Sequence, residues 1–599
     1  MSRLQRSLLG ALLLAAALLR GVGLDQDLRR GAPTPDEWTN FVGPVLRMWE
    51  ARSPDPAVNG GYPGLFNWLT FLPMGLGARL GGEAGACLAG RVVVAAFSVL
   101  NVLLVFLLVR PDFGAGAALL GTALLAFSRS EVSEAHFLTP DVLVVTAFLL
   151  MLLAARRGLG RHADAAGRGR TLARGLLPGL CAGLAIAVKY SGVLLLPALA
   201  AEYAAQRRLK RLLPAAAAVA AGFALAAPFA LLWRSGQSRG LAELLAYYFG
   251  PLLSGRLFFT MARQARDVWG WMSTNLGGAA LLLAAASALA RPRRPLAAPA
   301  AALLASLAVL ALTGLVYPRH VLLASTAATL LAAAGWSAVI GLARVGPSPA
   351  AQAVLAALVL VVPAGRALAV ARGYARETDL DRAAAFIEGQ AEPARVATSL
   401  GRLRLSGARE VRAALSLWDL PPAALAEFDY ILAPRDVTTR LAGLRVERSF
   451  APPADPGAAL DVLRPAAPLP APWPAPSRAE GNAPGAEQAW DGAAATAWSA
   501  PEGAGWMEAE WPQARAVRLI EVQVPDGDGA WPQRLALFAR RAGQPWAPLP
   551  VVALRPGRSR LQQAPHGQVY AVTQPLEIDG LRVERKPGPP WALAEVRVR

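Results

Sequence analysis

Apolar positions along this chain come in long unbroken runs, not in the short periodic clusters of a soluble core. Before residue 371 they occupy roughly 7–24, 87–109, 114–128, 139–155, 175–188, 190–205, 213–233, 271–290, 296–316, 321–343 and 351–370. About 20 apolar residues cross the hydrocarbon of a bilayer. The pattern therefore predicts a polytopic α-helical membrane protein with about eleven transmembrane helices. The stretch Tyr62–Leu80 is apolar but short and broken by Pro and Gly, which reads as an interfacial or re-entrant helix; were it to span, the loop charges would no longer alternate. The first run follows Arg3 and Arg6, as a signal peptide would. Its length and the lack of a small-x-small cleavage site favour a retained anchor.

Basic residues orient the runs. Arg3 and Arg6; Arg156, Arg157, Arg161, Arg168, Arg170 and Arg174; Arg207, Arg208, Lys210 and Arg211; Arg291, Arg293 and Arg294; and Arg344 all fall on one side when the helices alternate. Taking that side as the cytoplasm of a bacterial inner membrane puts residues 371–599 outside. The same parity puts residues 25–86, 129–138, 234–270 and the turn Tyr317–His320 outside. The net charge of +19 then reflects topology, and no nucleic-acid partner is expected. Cys87 and Cys181 both lie in apolar segments, so they read as packing residues.

Beyond Arg372 the composition becomes ordinary. The predicted organisation is a transmembrane domain (1–372), a small α/β domain (373–464), a stiff Pro-rich linker (465–479) and a β-sandwich (480–599). In the α/β part Asp381–Glu388 reads as helix and Tyr430–Ala433 as strand; in the last part Val517–Val524, Arg534–Phe538, Leu581–Glu584 and Ala594–Val598 alternate like strands. Asp491-Gly492, Thr496-Ala497-Trp498 and the later Trp506 resemble the opening of discoidin-like (coagulation factor 5/8 type C) domains, whose last strand Ala592–Val598 also resembles. Such domains commonly bind glycans or membrane surfaces, or serve only as packing modules.

Candidate chemistry lies in the outward segments. Asp36-Glu37 follows the first helix, where a carboxylate could act as general base or simply open a helix with Thr34. Asp141 follows His136-Phe137-Leu138-Thr139-Pro140, in a loop that also holds Glu131 and Glu134; capping is its plain role. Asp36 and Asp141 together could hold Mg²⁺ or Mn²⁺, with His136 assisting or merely hydrogen-bonded. Lys189 and Tyr190 interrupt two apolar runs, and Arg319 and His320 sit in a four-residue turn. Arg256, Arg263 and Arg266 lie among aromatic residues in the long outward loop. Outward Arg and Lys oppose the usual charge bias, and an anionic lipid headgroup is the simplest partner for them. Snorkelling is the alternative for Lys189.

The ordered set Asp36-Glu37, Tyr62-Pro63-Gly64-Leu65, Arg91, Pro140-Asp141, Gly183 with Lys189-Tyr190-Ser191-Gly192, and Tyr317-Pro318-Arg319-His320 resembles the GT-C glycosyltransferases, in the protein O-mannosyltransferase and aminoarabinose-transferase-like (family 39-like) branch. The resemblance implies a polyprenyl-phosphate sugar donor and inverting transfer on the outer face to a lipid, glycan or protein hydroxyl. It implies Asp36 as the base, Asp141 holding a metal or orienting the acceptor, and Lys189 with Arg319 on the donor phosphate. Many relatives carry His-Pro-Pro near Tyr62-Pro63, so the donor sugar stays open. No nucleotide cofactor is expected, because the lipid phosphate is the leaving group. A polysaccharide flippase and a non-catalytic, membrane-anchored glycan-binding protein remain as alternatives.

Overall fold

The computed structural model describes residues 2–26, 28, 34–53, 62–159, 168–228, 257–291, 293–313, 318–342, 348–376, 378–390, 392–398, 403–406, 408–413, 427–434, 444–450, 460–465, 478–481, 498–500, 503–523, 535–541, 543–553, 567–588, 591–593 and 595–598. The chain is a polytopic helical membrane protein with a β-rich second part. It divides into two compact units, Met1–Thr378 and Asp379–Arg599.

The first unit holds α1 (Arg3–Gly21), α2 (Gly43–Ala51), α3 (Leu65–Ala126), α4 (Arg129–Glu134), α5 (Asp141–Leu159), α6 (Arg168–Val188), α7 (Leu195–Ala205), α8 (Leu212–Ala226), α9 (Leu257–Leu276), α10 (Gly278–Ala286), α11 (Ala297–Leu312), α12 (Leu322–Leu342) and α13 (Pro349–Ala375). Among the described residues six helices are long and apolar enough to cross a membrane, or seven if one bent pair forms a single span. One of these is the 62-residue α3, whose backbone leaves helical geometry at Gly81, Gly82 and Gly114. Gly82 and Gly114 have φ of 61° and 82°, which an L side chain rarely adopts. Around Gly81–Gly82 the chain folds back, because a Cβ on Gly77 would lie 2.3 Å from the Gly85 carbonyl oxygen. Residues 65–80 thus form a helix about 24 Å long, short of the ~30 Å hydrocarbon. Leu69, Leu72, Leu76 and Leu80 on it are exposed.

The run 271–290 departs from the expected single span. It breaks at Gly277 (φ 77°), and the helices on either side meet at 98°. α9 also starts at Leu257, so residues 257–270 are helical where an outward loop was expected. The glycine supplies the left-handed residue that no other side chain would tolerate at low cost. The run 190–205 opens with a short 3-10 segment, Tyr190–Leu194, before α7. α12 is the most enclosed helix, with Leu322–Trp336 buried throughout.

The second unit contains α14 (Asp379–Glu388) and two main sheets. One has five strands: β1 (Arg395–Thr398), β2 (Glu410–Ala413), β3 (Tyr430–Pro434), β4 (Leu444–Phe450) and β5 (Leu460–Pro465), in the order β2-β1-β3-β5-β4. β1 pairs in parallel with β2 and β3, and β5 runs antiparallel to β3 and β4. Its core joins Ala383 and Ile387 of α14 to Val396, Tyr430, Leu432 and Val462.

The remaining strands are β6 (Arg478–Gly481), β7 (Trp498–Ala500), β8 (Gly503–Gln523), β9 (Leu535–Arg540), β10 (Ala547–Pro548), β11 (Val551–Ala553), β12 (Gly567–Gly588), β13 (Trp591–Leu593) and β14 (Glu595–Val598). β8 and β12 pair along most of their length, with register shifts at Ala571/Leu576 and Ile578/Gly580. On one side of these bulges the pair is flanked by β6 and β9; on the other, by β11 and β14. Met507, Ala509, Val517, Ile520, Leu537, Leu581, Val583 and Val596 share one core. The described residues of the four strand-like stretches, Val517–Gln523, Leu535–Phe538, Leu581–Glu584 and Glu595–Val598, all lie in strands. Of the discoidin-like signature, Asp491, Gly492 and Thr496 lie outside the described residues, as does most of the Pro-rich stretch 465–479. Trp498 lies on β7, paired with β13.

Candidate active site

The polar groups of the first unit collect where several helices begin or end. The clearest local device is in the loop after α1. Thr34 accepts a hydrogen bond from the Glu37 amide (3.3 Å), and the Glu37 carboxylate accepts one from the Thr34 amide (2.9 Å). This reciprocal capping box opens the short helix Pro35–Glu37. Glu37 does more than cap. Arg91 donates to both its oxygens at 2.8 Å, and the Leu138 amide donates at 2.7 Å. Arg91 also holds the carbonyls of Leu24 and Gln26 at 3.0 Å each. One ion pair thus joins the chain after α1, the body of α3 and the turn before α5. Burial alone would raise the Glu37 pKa; the Arg91 charge and these hydrogen bonds overcome that and hold the carboxyl below the usual carboxylate range.

Asp36, the neighbour of Glu37, faces a different environment. It is about one-third exposed, accepts from Asn40 Nδ2 at 2.5 Å and pairs with Arg319 Nη1 at 2.8 Å. The helical geometry of Pro35–Glu37 sends consecutive side chains in directions about 100° apart. One carboxylate therefore anchors the loop, while the other reaches the Pro318–Val321 turn.

Asp141 opens α5 and is clamped by Lys189 Nζ, 2.7 and 2.9 Å from its two oxygens. Lys189 follows the last residue of α6, so the pair ties the start of one helix to the end of the next. Arg319 interacts electrostatically with Asp141, Glu134 and Tyr62 besides Asp36, and His320 with Lys189, Asp141 and Arg319. Asp36, Glu134, Asp141, Lys189, Arg319 and His320 come from five separate stretches and share one electrostatic neighbourhood.

Glu134 is the member of this group to which the sequence assigned no role. It is nearly buried, and Thr139 Oγ1 donates to it at 3.4 Å. Burial and the nearby Asp141 push its carboxyl up to about 8, against the pull of Arg319 and Lys189. The available signal was an acidic residue in a loop of a few residues between two apolar helices. Arg20 was also missed. It lies inside the first apolar run, is fully buried, and donates to Ser98 (2.7 Å) and to the carbonyls of Leu125 (3.1 Å) and Ala126 (3.0 Å). A lone Arg near the end of an apolar run was the clue.

Other expected members behave differently. His136 is a hydrogen-bonded loop residue: Nδ1 lies 2.7 Å from the Val132 carbonyl oxygen, Nε2 lies 2.8 Å from that of Val22, and the ring stacks on Tyr374. Arg256 lies outside the described residues, and of Arg263 only its place on α9 is described. Arg266 is exposed on the same helix rather than in a loop. Tyr190 starts the 3-10 segment beside Lys189. Of the expected metal pair, Asp36 faces Arg319 and Asp141 faces Lys189. Among the described residues no three His, Cys, Asp or Glu side chains converge as metal ligands.

Residues 65–233 match the family model of dolichyl-phosphate-mannose-protein mannosyltransferases. The match contains Arg91, Asp141 and Lys189. Among solved structures, the chain is similar to ArnT from Cupriavidus metallidurans bound to undecaprenyl phosphate, at 16% identity and a TM-score of 0.44, over 77% of this chain and 98% of that one. CpGH89CBM32-6 produced by Clostridium perfringens aligns over 20% of this chain and 91% of its own length, at 11% identity and a TM-score of 0.17. A chitosan-binding module from Paenibacillus sp. IK-5 aligns over 21% of this chain and 96% of its own length, at 16% identity and a TM-score of 0.17. No curated protein sequence matches.

Proposed function

We propose that this protein is a membrane glycosyltransferase that moves a sugar from a polyprenyl-phosphate donor to an acceptor hydroxyl on the outer face of a bacterial inner membrane. The observation that carries this reading is the pairing of a carboxylate about one-third exposed, Asp36, with a cation 283 positions away, Arg319, beside a second cation, Lys189. The match of residues 65–233 to enzymes named for a dolichyl-phosphate sugar supports the donor class.

In this reading Asp36 takes the proton of the acceptor hydroxyl as its oxygen attacks the anomeric carbon from the face opposite the phosphate. The anomeric C–O bond breaks, and its electron pair stays on the lipid phosphate. The configuration therefore inverts. The phosphate gains one negative charge, which Arg319 and Lys189 meet as they loosen from their carboxylate partners. Asp141 aims Lys189 through the contacts of its two oxygens. Glu37 does no chemistry: its buried, doubly donated ion pair with Arg91 fixes the loop from which Asp36 projects. Asp36 and Asp141 are occupied by cations, so no step is routed through a divalent metal.

The test is to purify the protein with its co-isolated lipids and identify them by mass spectrometry, then assay transfer from the lipid found. Recovery of a polyprenyl-phosphate sugar that the protein consumes is the expected result. Bulk phospholipid alone, under conditions that retain the donor on a control enzyme, would overturn the reading.

A further inference from the structure

The proposed mechanism uses two carboxylates and two cations, and leaves a third carboxyl in their midst without a task. Asp36 with Arg319 and Asp141 with Lys189 form two charge-balanced pairs at 2.8 and 2.7 Å. Glu134 ends α4, seven residues before Asp141, and is nearly buried. The charged and titratable groups that act on it come from four other elements: Asp141 at the start of α5, Lys189 after α6, Arg319 in the turn before α12, and Tyr374 on α13. Its nearest donor is Thr139.

We propose that Glu134 is a positioning residue that serves as a neutral acid, keeping the site free of net negative charge so that an anionic lipid phosphodiester can enter. This inference rests on the donor class proposed above. Two carboxylates against two cations sum to zero when Glu134 is protonated. Ionised Glu134 would leave one uncompensated negative charge in a poorly solvated place, where repulsion of a phosphate is strongest. It would also compete with the phosphate for Arg319 and Lys189. Burial and the adjacent Asp141 disfavour that ionisation, which is why the carboxyl titrates near 8 and not in the ordinary range of about 4.

A sugar phosphodiester keeps one charge across neutral and alkaline pH, so a change in its binding there reports on the protein. The experiment measures KM for a polyprenyl-phosphate sugar against pH, with the purified wild-type enzyme and the variants Glu134→Gln and Thr139→Val. For the wild type, KM should rise by about tenfold per pH unit above about 8. Glu134→Gln, always neutral, should keep its low-pH KM and lose the alkaline rise. Thr139→Val removes a donor to the ionised form and should move the rise to higher pH. Thr139→Val gives a separate reading should Glu134→Gln not fold. The proposal is overturned by a wild-type KM that stays flat, by an unchanged rise in Glu134→Gln, or by an unmoved rise in Thr139→Val. Turnover with a flat KM overturns only the role of Glu134, whereas absence of turnover at every pH overturns the donor assignment along with it.

Discussion

Arginine meets carboxylate in both units of this protein, but on very different terms. In the helical unit the Arg91–Glu37 pair has side-chain exposures of 3% and 1%, and Lys189–Asp141 of 13% and 10%. On the outer face of the β8–β12–β9 sheet, Arg582 pairs with Glu508 at exposures of 25% and 14%, and Arg540 with Glu510 at 27% and 25%. There Arg582 lies between the rings of Trp506 and Trp546, 5.0 and 4.8 Å from their centres. Gly580 leaves room for that second indole, since a Cβ would lie 2.8 Å from it. The sheet ladder is a solvated array in which each member is partly served by water. The Arg91–Glu37 and Lys189–Asp141 pairs have no such substitute, so each is committed to its partner and to the loop or helix end that the partner carries, whereas Arg319–Asp36, at exposures of 27% and 35%, is as open as the sheet pairs. The difference separates charges that shape a surface from charges that build a site.

The comparison can be broken at graded points. The largest effect is expected at Asp36. Replacing it by Asn should lower the transfer rate by about 10²–10⁴-fold, the usual contribution of a positioned base, while thermal unfolding in detergent stays close to wild type. An equal loss of folded protein would turn Asp36 into a structural residue. Next comes Arg91→Met, which strands a buried carboxylate and should cost about 3–5 kcal/mol of stability. Thermal melts would read this, and a melt within a degree or two of wild type would deny the buried clasp.

The same ion pair sets a pH window. The Glu37 carboxyl titrates below its unfolded value. The stability it gives is therefore complete above the ordinary carboxylate range of about 4.3 and fades as pH falls through the lower folded value. Wild-type stability should decline in that acid window, and Glu37→Gln should show a shallower decline. The smallest effect is expected on the sheet face, where Arg582→Ala should cost about 1 kcal/mol or less. A loss as large as that of Arg91→Met would erase the contrast between the two regions.

The sequence carried the architecture better than the site. Long apolar runs, alternating loop charge and period-2 stretches such as Val517–Val524 are local patterns, and they yielded helices and strands at nearly the stated places. The break at Gly277 was illegible because a single glycine inside an apolar run does not disclose its φ. The site was half visible. Asp36, Asp141, Lys189 and Arg319 stood out as polar residues at the ends of apolar runs, but spacing could not say which would pair. Asp36 and Arg319 lie 283 positions apart, and their contact exists only once α12 has packed into the unit. Glu37 and Asp36 looked equivalent on paper. Their roles diverge because adjacent helical positions point in different directions, one toward Arg91 and one toward Arg319. The two carboxylates expected to share a metal, Asp36 and Asp141, each meet a cation from a distant part of the chain, Arg319 and Lys189, which spacing alone did not disclose.

The central claim is that Lys189 and Arg319 receive a lipid phosphate at this cluster. It is tested most directly by equilibrium binding of a short-chain polyprenyl phosphate to the purified protein, with Lys189→Met and Arg319→Met beside Arg582→Ala as the control. Affinity should fall by about tenfold or more in each of the first two, as expected for loss of a charge-assisted contact, and stay unchanged in the third. Undiminished binding in both Lys189→Met and Arg319→Met would contradict the account.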